Sequence, residues 1–156
     1  MVIYLASVFL FTMMKIISPI QEHEWKAYFQ LRFDVLREPW NQPAGSEVLG
    51  DEDQAIHAMA VKGNEALGVA RMHESSPGQG QVRCVAVGMG QQGKGVGKAL
   101  MIYLEDMARE KGWREIILEA RENAVPFYKA LGYSIQKESY LLFNEIQHYT
   151  MTKSLV

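Results

Sequence analysis

One cysteine, Cys84, stands among the 156 residues. A single thiol excludes an internal disulfide and any zinc site built from several cysteines, and it is compatible with a reducing cytoplasm, the expected location. No metal is expected. The thiol lies in the apolar run Val82 to Val87, where a small buried cysteine is the plain expectation. A basic excess is missing too: 16 Lys and Arg against 18 Asp and Glu leave a formal net charge of -2. Holding a phosphate backbone needs such an excess, so nucleic acid is not an expected partner. Long apolar runs are absent, with one short exception. Val2 to Phe11, VIYLASVFLF, is nearly all apolar, yet too short to cross a bilayer, and it lacks the clear charge and cleavage pattern of a signal peptide. No membrane partner is expected. Either the natural start is Met13 or Met14, or the segment packs on the fold or at a subunit contact. Residues 1–13 are therefore set apart as an extension, and 14–156 as a single domain.

What remains is an ordinary globular composition, 48% hydrophobic and 22% charged, in a chain long enough to bury roughly two-thirds of its unfolded surface. Lys15 to Ser18 reads as a short strand. Trp25, Phe29, Phe33 and Leu36 fall at helical spacing and predict a helix over Glu22 to Arg37. After a polar loop, Gln54 to Val87 holds three strand-like runs, joined at Gly63-Asn64 and across SSPGQG, which predicts an antiparallel meander. Val96, Leu100, Tyr103, Leu104, Met107 and Ala108 mark a long helix closed by Gly112, and Glu115 to Ala120 is a buried strand. A second helix, Ala124 to Leu131, ends at Gly132, with Asn123 as its expected cap and Pro126 in its first turn. Strands near Tyr133 to Lys137 and Gln147 to Lys153 complete an α/β, α+β chain whose central sheet is mixed and mainly antiparallel, flanked by helices.

Between the third run of the meander and the long helix lies GMGQQGKGVGK, residues 88–98. Five glycines within ten residues cost backbone entropy that a plain turn does not require. Three phosphate-binding patterns fit in part. Gly88, Gly90 and Gly93 match a dinucleotide fingerprint, but only 37 residues follow Glu119, too few for the parallel strands and crossovers that fold needs. The P-loop pattern fails on letters, one residue short and with Ala99 where a magnesium-binding hydroxyl belongs. The third pattern, Gln92-x-x-Gly95-x-Gly97, exposes successive backbone N–H groups at the start of a helix, which suits a pyrophosphate.

The run VAVGMGQQGKGVGKAL, followed by LEARENAVPFYKALGY, resembles the GNAT superfamily of N-acetyltransferases. The resemblance covers the chain from about Lys15 onward and implies the strand-helix-strand unit and sheet of that fold. It implies acetyl-coenzyme A as co-substrate, its pyrophosphate on Gln92, Gly93, Gly95, Gly97 and Lys98, and its acyl arm along the main chain of Val85 and Val87. In the second motif Phe127 and Tyr128 would contact the cofactor. Arg121 stands where the family has Asn; it would reach the cofactor or pair with Glu119 or Glu122. Homodimers are common in the family, and the apolar N-terminus would suit one.

The implied reaction moves an acetyl group from a thioester to a primary amine of a small molecule or peptide. Tyr128 would be the acid that protonates the leaving sulfur. His148 and Glu119 are base candidates, His148 because its ordinary pKa near ~6.5 lets it accept a proton at neutral pH. Glu47, Asp51, Glu52 and Asp53, with Trp40, would favour a cationic acceptor or form a solvated loop. A silent acyl-coenzyme A binding module on the same fold is the alternative; it would keep the glycines without needing Tyr128.

Overall fold

Two-residue turns at Gly63-Asn64 and Pro77-Gly78 fold the middle of the chain back on itself, with Gly63 and Gly78 at φ +61° and +77°. Turns this short join only antiparallel neighbours. The computed structural model describes residues 13–156, so the Val2 to Phe11 run lies outside the described residues. Within them the strands are β1 (Met14–Ile17), β2 (Ile56–Lys62), β3 (Glu65–Ser76), β4 (Gln79–Val87), β5 (Glu115–Arg121), β6 (Ser134–Leu142) and β7 (Ile146–Ser154). The helices are α1 (Glu22–Leu36), α2 (Val96–Glu110) and α3 (Val125–Ala130). One sheet runs in the order β1-β2-β3-β4-β5-β7-β6. β4 and β5 are parallel, as the α2 crossover requires, while β1/β2, β5/β7 and β6/β7 are antiparallel. The expected mixed, mainly antiparallel sheet is thus found. No helix among the described residues is long and apolar enough to cross a membrane.

The chain forms two compact units. One comprises the described residues up to Gly50, His57–Ala70 and Cys84–Tyr103; the other comprises Asp51–Ile56, Arg71–Arg83 and Leu104–Val156. In the first, the apolar stripe of α1 buries Tyr28 and Leu36 against Met59, Val61, Val69 and Ala86, each such burial stabilising by about 1.5–3 kcal/mol. Arg32 sits on the same stripe and is fully buried. Its Nη2 donates to the Tyr28 hydroxyl at 2.8 Å and its Nη1 to the Glu47 carbonyl at 2.9 Å. Tyr28 in turn lies 2.8 Å from His57 Nδ1 and donates to the Ala70 carbonyl at 3.1 Å. A charge buried this way is tolerable because both terminal nitrogens of its guanidinium donate hydrogen bonds. On another side of this unit α2 meets β3 at Gly68, where an added Cβ would stand 2.7 Å from Val96 Cγ1 and 3.1 Å from the Ala86 carbonyl oxygen.

In the second unit both helix ends close as the glycines predict. Gly132 takes φ +95°, its N–H donates to the Lys129 carbonyl, and the Tyr133 N–H donates to the Tyr128 carbonyl; Gly112 and Trp113 repeat the pattern on α2. Glu105 of α2, nearly fully buried, accepts from the Tyr133 hydroxyl at 2.9 Å and from Lys153 Nζ at 3.0 Å. Two expectations fail. Asn123 lies in a 3-10 turn, Glu122–Ala124, and Ala124 caps α3 without a side-chain bond; Pro126 does occupy the first turn. β6 runs on past Lys137 to Leu142, because an exposed edge strand needs no apolar alternation to pair with β7.

Gly68→Ala is expected to cost about 1–3 kcal/mol by overpacking, measured as a lowered urea midpoint with unchanged slope; an unshifted midpoint would mean that α2 yields freely at this contact.

Candidate active site

After Val87 the chain leaves the sheet through a sequence of left-handed turns. The Gly88 N–H donates to the Leu67 carbonyl at 2.8 Å and fixes the exit. Gly90, Gly93 and Gly95 take φ +81°, +76° and +83°, conformations that L side chains rarely adopt, and open space surrounds all three. The Ala99 N–H donates to the Gly95 carbonyl at 3.0 Å, the first helical bond of α2. The N–H groups of Val96, Gly97 and Lys98 therefore have no acceptor within the helix. Gln92, Lys94 and Lys98 are exposed around this end, and no acid stands in the first turn. A lysine there opposes the helix dipole unless an anion binds. The start of α2 thus carries positive charge with no acid in its first turn.

The strand feeding it is irregular. β4 pairs with β5 from Gln79 to Val82 against Glu115 to Leu118, then continues to Val87 with Cys84 at φ +56°. A left-handed cysteine costs about 1–3 kcal/mol. The expected buried thiol is only half-buried, at the edge of the α1 cluster. Val85 and Val87, both half-buried, lie on this stretch.

The second unit carries the other residues singled out above. Tyr128 on α3 is 7% exposed, edge-on to Phe127 at 5.0 Å and to Tyr133 at 5.7 Å between ring centroids. Burial pushes its hydroxyl well above the usual phenol range, opposed in part by the Arg121 charge, so it keeps its proton. On β5 and β7 the register sets Arg121 across from His148 and Glu119 across from Thr150, four side chains on one face. The Thr150 hydroxyl donates to the Glu119 carboxylate at 2.9 Å. His148 is 4% exposed, its Nδ1 2.9 Å from the Ile146 carbonyl. A carbonyl only accepts, so Nδ1 carries the hydrogen and Nε2 of the neutral ring is left as the acceptor. Burial holds its pKa below 6.5, with Arg121 acting in the same direction, while the Ile146 bond and Glu119 oppose.

Residues 18–133 match the acetyltransferase (GNAT) family. The chain belongs to that family. It is 31% identical over 140 residues to the uncharacterized N-acetyltransferase YjcF of Bacillus subtilis, covering 90% of this chain and 99% of that one. Its fold is similar to that of an aminoglycoside 6'-N-acetyltransferase solved with coenzyme A, with TM-score 0.77 and 16% identity over 92% and 97% of the two chains. It is also similar to a Bacillus subtilis acetyltransferase solved with coenzyme A, at 0.76 and 17% over 92% and 100%. The chain is accordingly an N-acetyltransferase that takes its acetyl group from acetyl-coenzyme A.

Within this acetyltransferase the acidic loop is largely committed elsewhere. Arg71 of β3, fully buried, donates to Asp51 Oδ1 at 2.8 Å, to Asp51 Oδ2 at 3.0 Å and to Glu52 Oε1 at 2.8 Å. Glu47 accepts from the Gly45 N–H. Asp53 is the exposed member. Neither Arg71 nor Arg32 was singled out in the sequence, where a buried arginine reads like a surface one. The only available signal was position: Arg32 falls four residues after Tyr28 and four before Leu36 on the α1 stripe.

The Arg71 bond holds the Asp51 carboxyl down at about 2, below its ordinary 3.8. A depressed carboxylate stabilises the fold above its unfolded pKa and loses that contribution as pH falls toward the folded value. Melting temperature is therefore expected to fall more steeply between about pH 4 and 2 in the wild type than in Asp51→Asn; parallel curves would disconnect Asp51 from acid stability.

Proposed function

We propose that the enzyme transfers an acetyl group to a primary amine of a small molecule or peptide. The glycine loop carries this reading: three open left-handed glycines, unpaired first-turn N–H groups and Lys98 fit a pyrophosphate. In this reading Gln92, Gly93, Gly95, Gly97 and Lys98 hold the phosphates. The stretch of β4 beyond its pairing with β5 offers the Val85 and Val87 main chain to the acyl arm. Phe127 and Arg121 contact the co-substrate. The domain spans residues 14–156 and works in the cytoplasm, supported by its lone thiol. A homodimer belongs to the same reading, resting on the family resemblance.

Acetyl-coenzyme A supplies the thioester. The acceptor must reach it as a neutral amine, and for a lysine-like group of pKa ~10.4 finding that form at pH 7 costs roughly 4–5 kcal/mol. A base meets that demand by taking a proton from the ammonium before the nitrogen attacks the thioester carbonyl, and the nitrogen loses a second proton as the amide forms. His148 Nε2 is the better placed acceptor, since the Glu119 carboxylate already binds Thr150. As the C–S bond breaks, the Tyr128 hydroxyl delivers its proton to sulfur. The hydroxyl carries its proton at neutral pH, as an acid must, although burial makes it a weaker donor than a free phenol.

Acetyl-coenzyme A and coenzyme A at 100 times their dissociation constants stabilise by about 2.7 kcal/mol and are expected to raise the melting temperature by roughly 5–10 °C. NADH and MgATP are expected to leave it unmoved; a shift with NADH alone would overturn the assignment of the loop. Thiol release with polyamines, lysine-bearing peptides, neutral aminoacyl substrates and hydroxyl acceptors that lack an amine identifies the acceptor class, and best turnover on a hydroxyl acceptor would overturn the amine reading. With the acceptor in hand, Tyr128→Phe is expected to lose about 10²-fold or more in kcat while keeping its acetyl-coenzyme A shift. Equal turnover would remove Tyr128 as the acid.

A further inference from the structure

β6 is the edge strand beside β7, and its pairing slips between Glu138 and Leu141. A slip of this kind bends the strand and re-aims the side chains within it. Tyr140 lies inside it. Its ring is stacked on the His148 imidazole, centroids 4.5 Å apart and planes 13° from parallel. The Gln147 side-chain amide donates to the His148 carbonyl at 3.0 Å and, more weakly, to the Tyr140 carbonyl at 3.4 Å, tying the two strands where the ladder is irregular. The imidazole is thus held by the Ile146 carbonyl at Nδ1 and by an aromatic plane over one face. Tyr140 itself is 46% exposed and His148 only 4%, so the tyrosine acts as a cover for a residue that would otherwise meet water.

We propose that Tyr140 is a positioning residue that locks the His148 ring in one orientation and tautomer and keeps water off it, so that Nε2 remains a neutral proton acceptor. The functional consequence rests on His148 being the base for acetyl transfer. The charged groups facing the ring are Arg121, directly across on β5, and Glu119 two pairs along on the same face. On β6, Lys137 pairs with Thr150 and Glu138 with Tyr149, which leaves Tyr140 as the β6 group stacked on the ring. Burial and Arg121 disfavour a protonated ring, while Glu119 and the Ile146 bond favour it; Tyr140 contributes to that burial by covering one face.

The test uses the full chain as wild type, Tyr140→Phe and Tyr140→Ala. The replaced side chain is half-exposed on an edge strand, so the variants are expected to fold. His148 is followed by its imidazole nitrogen and carbon-bound proton resonances against pH. Wild type and Tyr140→Phe are expected to show the hydrogen on Nδ1 and a midpoint below the ordinary range. In Tyr140→Ala the midpoint is expected to rise by about half a unit or more and the tautomers to mix. An unchanged midpoint and tautomer in the alanine variant overturns the proposal. The acid limb of kcat, measured with a lysine-bearing peptide as probe acceptor, is expected to move with the titration. A limb that stays while the resonances move would remove His148 from the chemistry and leave the role of Tyr140 intact.

Discussion

Helix α2 can begin where it does because β3 presents a residue without a side chain. At Gly68 the helix approaches the strand backbone closely enough that one methyl group would collide with Val96 and crowd Leu100. Val96 is the first residue of the helix and is almost fully buried. Its seating fixes the end at which Gly97 and Lys98 turn their N–H groups outward. The Gly88 N–H, bonded to the Leu67 carbonyl one residue before Gly68, fixes the other end of the loop. The geometry of the glycine-rich turn is therefore set by contacts with β3 on both sides. The glycines between them supply only the backbone freedom to connect two points already determined.

Much of this was legible in the sequence because its signals are local. Gly112 and Gly132 announced helix ends, and both take the left-handed conformation that closes a helix; the spacing of Val96, Leu100 and Leu104 announced the buried face of α2. Signals that depend on distant partners were not legible. Arg32 and Arg71 look like solvated charges until Glu47, 15 residues away, and Asp51, 20 residues away, are seen to hold them. The length of β6 was hidden for a related reason. An exposed edge strand carries no periodic apolar face, so only its pairing with β7 extends it to Leu142. Asn123 misled because its residue type favours helix caps, whereas the chain spends Glu122–Ala124 on a tighter turn first.

The candidate site was legible in the same uneven way. Glu119, Arg121, Tyr128 and His148 could be named from motif and strand position, but not the wiring that gives each a chemical state. The Ile146 carbonyl assigns the hydrogen of His148 to Nδ1, and Thr150 engages Glu119, contacts that neither motif nor composition announces. Cys84 carries the opposite lesson: an apolar run suggested an inert packed thiol, and the strand instead takes a left-handed residue there.

The charge arrangement at the start of α2 also governs encounter. Lys94 and Lys98 stand exposed beside the positive end of a helix whose first turn contains no acid, in a chain whose formal net charge is -2. A multiply charged anion approaching at random meets weak repulsion from the molecule as a whole and attraction at this one end. At physiological ionic strength that attraction extends only about 8 Å, so it orients the anion during the last part of its approach rather than drawing it from afar. Any encounter with an anion at this end is therefore sensitive to added salt, whatever the backbone N–H groups contribute after contact.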